Sequence, residues 1–452
     1  MKKIIKSRLF IVVITTIIVA SGTLYAANKY QASEVVYNKK DGTSTNVNDA
    51  LNELYNNMNT GGCTSKVATP EIKGDLIPVT ISNDGTVKYA DTNSKWYNYC
   101  NKEWANAVIV SSGTYKVGDT IPESAIESYF VWIPRFRYKL WNTGTAIKKA
   151  HSIEIEFETK ETKASTGSNN GEWLTHPAFT TFNSNGFWVG KFETGYKGAT
   201  NASAAQVNSN DSSKVIIKPN VYSWRNITVG NIFLTSYNYK RELDSHMMKN
   251  TEWGAVAYLS HSKYGIDREI NINNNSSYKT GYSALPSTNQ HTVPGTYGDG
   301  EAYNKPYNTE IGYLASTTGN ITGVYDMSGG SREYVAGYIS GKSGSSGLTP
   351  TNYDSKYFDV YNASSTQTSS QYRILGDATG EMGPFKSYKE GDNYSRHHNS
   401  WYSDNSDFIS SSYPWFLRGG DISEGDVSGT FSFYVANGST NNGFCYRIII
   451  TI

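Results

Sequence analysis

Pro414-Trp-Phe-Leu-Arg-Gly-Gly420 and Phe444-Cys-Tyr-Arg-Ile-Ile-Ile-Thr-Ile452 close the chain as two apolar, β-prone runs. Between them, residues 421–443 are built almost wholly from Asp, Ser, Gly, Asn, Thr, Phe and Tyr. A rigid frame therefore brackets an adaptable polar surface. Tyr offers large contact area at low entropic cost, and Ser, Gly and Asn offer adjustable hydrogen bonds, which is the composition of recognition loops. The expected contacts are Asp421, Ser423, Glu424, Asp426, Ser428, Tyr434, Asn437, Ser439, Thr440, Asn441 and Asn442.

The rest of the composition is consistent with a binding surface. With 452 residues the chain can bury a sizeable core, and its 41 basic against 40 acidic side chains leave a net charge of +1. No long-range field draws nucleic acid. The 35 Tyr and 10 Trp argue against disorder in a chain otherwise rich in Asn, Ser, Thr and Gly, and point to an extracellular, β-rich protein. Lys2, Lys3, Lys6 and Arg8 precede an apolar run from Leu9, which reads as an export signal or an uncleaved membrane anchor over 1–27, with the remainder outside the cytoplasm. Localisation in the cell envelope or outside the cell follows. Cys63 and Cys100 can pair in an oxidising exterior, whereas Cys445 sits in an apolar strand as a small core residue.

Within 28–62, a linker, Val47, Leu51, Leu54 and Met58 form one stripe of a short helix, so residues 44–60 could dock on the body or mediate oligomerisation. Residues 63–128 read as a small β-rich module or as the first layer of the main domain, with a hairpin joining Val79-Thr-Ile81 to Val87-Lys-Tyr89 through Asn83-Asp-Gly85. From Tyr129-Phe-Val-Trp-Ile-Pro134 onward, dense apolar strands alternate with polar loops, and further strands are expected at Phe136–Leu140, Gly186–Glu193, Tyr372–Leu375, Trp415–Arg418 and Phe444–Ile452. The Asn/Ser tract Asn271–Ser277 reads as surface. One core helix follows His246-Met-Met-Lys-Asn-Thr-Glu-Trp-Gly-Ala-Val-Ala-Tyr-Leu259, capped by Asn250 or Thr251, with Gly254 admitting a close neighbour.

Phe130-Val-Trp-Ile-Pro134, Phe187-Trp-Val-Gly-Lys-Phe-Glu193, Asn250-Thr-Glu-Trp253, Val324-Tyr-Asp-Met-Ser-Gly-Gly330 with Glu333-Tyr-Val335, and Leu417-Arg-Gly-Gly420 with Gly443-Phe-x-x-Arg occur in that order. The series, covering about 129–452, resembles the formylglycine-generating, sulfatase-modifying type of C-type lectin-like domain. It is also similar to Gram-positive gut-bacterial and prophage surface proteins. The resemblance implies an α+β, C-type lectin-like fold following the N-terminal anchor and small β-rich segment. The family's enzymes bind copper through two cysteines five positions apart beyond the Arg-Gly-Gly turn, and Glu424 and Gly429 stand at those places here. Neither supplies a thiolate. What the resemblance implies instead is the use made of this fold by retroelement-diversified proteins, which bind ligands with residues between that turn and the final strand.

The expected function is thus non-catalytic binding of a protein or glycan at the cell surface, as in an adhesin or receptor. The alternatives are an oxidoreductase of the formylglycine-generating type and a structural envelope or stalk protein. No cofactor is expected, although Asp299, Glu301, Asp404, Asp407, Glu424 and Asp426 are oxygen ligands suited to calcium. His246, His261, His291, His397 and His398 are the histidines considered for base or metal work, with solvent-facing loops the simpler reading of the His397-His398 pair. Arg332, Glu333 and Arg418 read as partners tying loops to the frame.

Overall fold

The computed structural model describes residues 36–38, 44–46, 67–143, 149–284, 304–362, 374–383 and 399–452. Two units divide the chain at Thr64/Ser65. In the first, Val36–Asn38 pairs antiparallel with Ser44–Asn46. The segments 1–27 and 47–58, expected as anchor and amphipathic helix, lie outside the described residues, as does Cys63. No helix among the described residues is long and apolar enough to cross a membrane.

The second unit is built on an eight-stranded antiparallel sheet. Its centre is Ile126–Pro134, whose residues are buried from Ser128 onward and which has Asn106–Val110 on one side and Gly186–Gly190 on the other. Aromatic and β-branched side chains suit this position because cross-strand pairs stabilise the sheet, as where Trp132 faces Trp188 with ring centroids 5.3 Å apart. The expected hairpin forms between Ile77–Ile81 and Val87–Tyr89, and Thr120–Ile121 completes that edge. The strands within 67–128 therefore pair into the same sheet as the later strands. Phe136–Lys139 begins a separate three-stranded sheet with Ile155–Phe157 and Trp173–Thr175.

A five-stranded sheet carries the closing segment. Arg332–Ile339 pairs with Asp359–Tyr361 in parallel and with Trp415–Arg418 antiparallel, and Phe433–Ala436 forms the edge beyond it. The final run expected as one strand is two. Phe444–Tyr446 runs parallel to Arg332–Tyr334, while Ile448–Ile450 lies between Gly186–Gly190 and His246–Met247 in the large sheet. Arg447 stands at the crossing. The strand expected over Tyr372–Leu375 is absent from its described part, where residues 374 and 375 form no strand.

Three α-helices occur among the described residues: α1 (Pro177–Thr180), α2 (Val229–Tyr239) and α3 (Asn250–Ser260). With 26% strand against 16% helix in several antiparallel sheets, the protein is mainly β, which overturns the expected α+β, C-type lectin-like class. The reason is local. Capped N-termini mark two helices of eleven residues, and aromatic and β-branched runs punctuated by turns take the rest. Every residue of α3 is buried, and its N-cap is Lys249, whose backbone N–H donates to Glu252 Oε2 at 2.8 Å. Asn250 and Thr251, expected as caps, are drawn inward to Tyr361, Asp377 and Asp359. At Gly254 a Cβ would stand 1.9 Å from the Gly376 carbonyl oxygen, so the close neighbour expected there is the 376–377 backbone.

Candidate functional site

The motifs along the chain converge on one buried polar knot. From Gly186–Gly190 and its extension come Lys191 and Glu193, both fully buried. Lys191 Nζ donates to Asn106 Oδ1 at 2.9 Å and to the carbonyls of Ile321 and Gly323 at 2.7 and 2.8 Å, using all three donors. Glu193 accepts from the Ser331 amide at 2.8 Å and from the Ser223 hydroxyl. Asp326 accepts from Asn273 Nδ2 and the Gly281 amide, each at 2.9 Å. Burial pushes the carboxyls of Glu193 and Asp326 upward. At the crossing of the last strand, Arg447 grips Glu333 with two hydrogen bonds, 3.0 and 2.5 Å, and donates to the carbonyls of Gly190 at 2.7 Å and Tyr325 at 3.0 Å. This knot joins the two sheets and leaves no donor of Lys191 over, so its chemistry is structural.

The same knot corrects the expectation for Asn271–Ser277. Asn271, Asn273, Asn274 and Asn275 are buried, because their amides stand in for missing secondary structure: Asn273 bonds Asp326 and the Lys279 carbonyl, and Asn275 Oδ1 accepts from the Ser277 amide. Composition alone marks such a tract as surface, and only the tertiary partners reveal its burial.

Over the closing segment the backbone is pinned from several elements. The Asn437 carbonyl accepts from Ser345 N, Gly438 from Val229 N, Ser439 from the Tyr334 hydroxyl, Asn441 from Asn226 N and Gly443 from Arg332 N. Arg225, which the sequence reading did not single out, donates to the carbonyls of Asn442 and Ala202 and stacks 3.8 Å over Tyr278. No sequence signal marks it.

The eleven expected contacts then separate. Ser423, Asn441 and Asn442 are exposed, and Asp421, Tyr434, Asn437, Ser439 and Thr440 are half-buried. Thr440 and Asn442 make no side-chain hydrogen bond among the described residues, whereas Asn437 Oδ1 holds the Ser439 amide and hydroxyl. Glu424 is turned inward. It is paired through both oxygens with Arg332, whose guanidinium lies 4.5 Å over the Tyr434 ring and 3.5 Å from Asp421. Ser428 is fully buried with its hydroxyl on the Asp421 carbonyl at 2.9 Å. Neither Glu424 nor Ser428 faces outward as a contact, and the Asp426 side chain lies outside the described residues.

At Gly429 an added Cβ would fall 2.1 Å from Asp404 Oδ2, so this geometry admits no side chain at the second place compared with a cysteine. Cys445 is buried, and its thiol is pushed well up by burial, far from thiolate character. Cys100 is disulfide-bonded. Of the histidines, His246 is buried against Glu252 at 3.0 Å and His261 lines a cleft; His291, His397 and His398 lie outside the described residues, as do Asp299 and Glu301. Among the described residues no cluster of three or more His, Cys, Asp or Glu is placed to hold a metal ion. Arg418 is buried, donating to the Ala378 carbonyl at 3.0 Å. Neither the known family models nor the curated proteins match this sequence.

Proposed function

We propose that this protein is a non-catalytic binder, displayed from the cell envelope or exported, that contacts a protein or glycan through Ser423, Asn441, Asn442 and the half-buried residues beside them. One observation carries the reading: the backbone of 437–443 is held by hydrogen bonds from five residues on three segments while the side chains of Ser423, Asn441 and Asn442 face solvent. Binding costs less when the contact loop is already ordered, because its conformational entropy has been lost in folding. The edge strand Phe433–Ala436 adds the Tyr434 ring, stiffened by Arg332, as an aromatic anchor.

The test probes immobilised glycans and surface proteins with the full chain and with a Ser423→Ala/Asn441→Ala/Asn442→Ala variant. Capture should fall at least about tenfold, equivalent to ~1.4 kcal/mol, with the melting temperature unchanged. Equal capture by the two chains, or none by the wild type, refutes the proposal.

A further inference from the structure

His261, Arg268, Glu269, Tyr402 and Asp404, with Phe431 of the closing segment, line a cleft of about 230 Å³ including its open mouth. Asp404 is 1% exposed. Its Oδ2 accepts from the Phe431 amide at 3.0 Å, while its Oδ1 is buried with no hydrogen-bond partner. A buried acceptor without a donor costs about 1–3 kcal/mol, so an unpartnered oxygen on a side chain that lines the cleft is a place for a ligand's N–H. His261 Nδ1 is likewise unpartnered, since Asp267 lies 3.6 Å away, and its Nε2 is engaged by the Tyr402 hydroxyl.

The backbone at this site is held under strain. Tyr402 and Ser403, the two residues before Asp404, have φ of +62° and +70°, and Asp267 on the opposite loop has +58°. Left-handed conformations of this kind cost of order 1 kcal/mol each for non-glycine residues and persist where the surroundings enforce them, often at binding sites. Here they turn Asp404 inward over Gly429. The walls are aromatic, with Tyr402 and Phe431 stacked at 6.3 Å and 27°.

We infer that this cleft is a second binding site, distinct from the exposed contacts at Ser423, Asn441 and Asn442, which takes the ammonium head of a primary alkylamine, free or on a lysine side chain. The ammonium's positive charge would offset the cost of ionising the buried Asp404, which would release its proton to solvent and receive the ligand's N–H, and the Phe431 and Tyr402 rings would flank the cation. The enclosed part of the cleft accommodates about one water-sized group, the size of an ammonium head. Burial pushes the Asp404 carboxyl well up, Glu269 and Glu424 add to the rise, and the Phe431 amide and Arg418 oppose it. Arg268, exposed on the cleft wall, carries an opposing charge, and Glu269 next to it in the chain carries the compensating one. His261 stays neutral because burial lowers its pKa to about 4, so it adds no opposing charge near pH 7.

The full chain would be titrated with n-butylammonium chloride, a Gly-Lys-Gly peptide and tetramethylammonium chloride, followed by saturation-transfer NMR. Saturable butylammonium binding is expected, at least about tenfold weaker in Asp404→Asn, with none for tetramethylammonium. Affinity in the wild type should fall as acid protonates Asp404, a measurement that needs no variant to fold. Peptide binding as well would identify a lysine side chain as the source, and its absence a free amine. The inference is overturned if butylammonium does not bind, leaving only water in the cleft, if its affinity is independent of pH, or if folded Asp404→Asn binds it equally.

Discussion

Replacing Arg447 by Met should cost the fold roughly 4 to 7 kcal/mol, because it strips a buried anion of its partner at the point where the last strand changes sheets. Arg447 and Glu333 have side chains 0% and 1% exposed. Breaking a buried pair from one side costs about 3 to 5 kcal/mol through the uncompensated charge, and two carbonyls, those of Gly190 and Tyr325, lose donors worth about 1 kcal/mol each. Glu333, already pushed up to about 7 by burial, can take a proton and cap the charge penalty, which sets the lower end of the range. Urea unfolding followed by tryptophan fluorescence should show a lower midpoint with an unchanged slope, since the surface exposed on unfolding is the same. The Glu333→Gln/Arg447→Met double variant should be less destabilised than the two singles added together, because the second change removes the orphaned group. A loss below about 1 kcal/mol for Arg447→Met, or strict additivity in the cycle, would refute the assignment of this pair as the tie between the sheets.

Gly254→Ala should destabilise by about 1 to 3 kcal/mol despite the ~1 kcal/mol gain in helix propensity, because the new methyl meets the Gly376 carbonyl at 1.9 Å; a raised melting temperature would contradict that contact. Gly429→Ala should likewise lower the melting temperature and, by displacing the Asp404 carboxylate, weaken butylammonium binding by about tenfold or more. Glu381 is buried among Tyr138, Tyr258 and the Gly376 amide, and burial raises it from 4.5 to about 7. The native state thus holds this proton more tightly than the unfolded chain, so the stability from Glu381 is full below about pH 4.5 and lost as pH rises through about 7, up to roughly 3 kcal/mol. Chemical unfolding of Glu381→Gln across that window should show a correspondingly flatter dependence on pH. His176, the buried N-cap of α1, and His261 act oppositely: burial lowers them to about 3 and about 4, so stability present above 6.5 is withdrawn as pH falls through those values, and His176→Phe should soften the acid limb measured by circular dichroism.

Much of the local architecture was legible in the residues. Runs such as Tyr129-Phe-Val-Trp-Ile-Pro134 and Trp415-Phe-Leu-Arg418 form strands because aromatic and β-branched side chains suit a pleated, packed surface wherever it lies. The 79–89 hairpin and the α3 helix carry their turn and helix signals within a few residues. Helix α2 was missed because Ile, Phe, Thr and Tyr are poor helix formers, although Thr228 before it accepts the Asn231 amide as a cap. The polar closing segment was recognised by composition, but composition could not tell Ser423 and Asn441, which face solvent, from Glu424 and Ser428, which are engaged within the fold.

The sequence by itself determined which segments are apolar strands, where Gly254 admits another backbone, and that the end of the chain is a polar stretch between two β-prone runs. Only the tertiary structure decided that the last run splits at Arg447 between two sheets, that Asn273 and Asn275 are interior, and that Asp404 leaves an unpaired oxygen in a cleft. Propensity acts over a few neighbouring residues, whereas the burial of a charge or amide depends on partners brought from far along the chain, as Arg447 and Glu333 are from 114 positions apart.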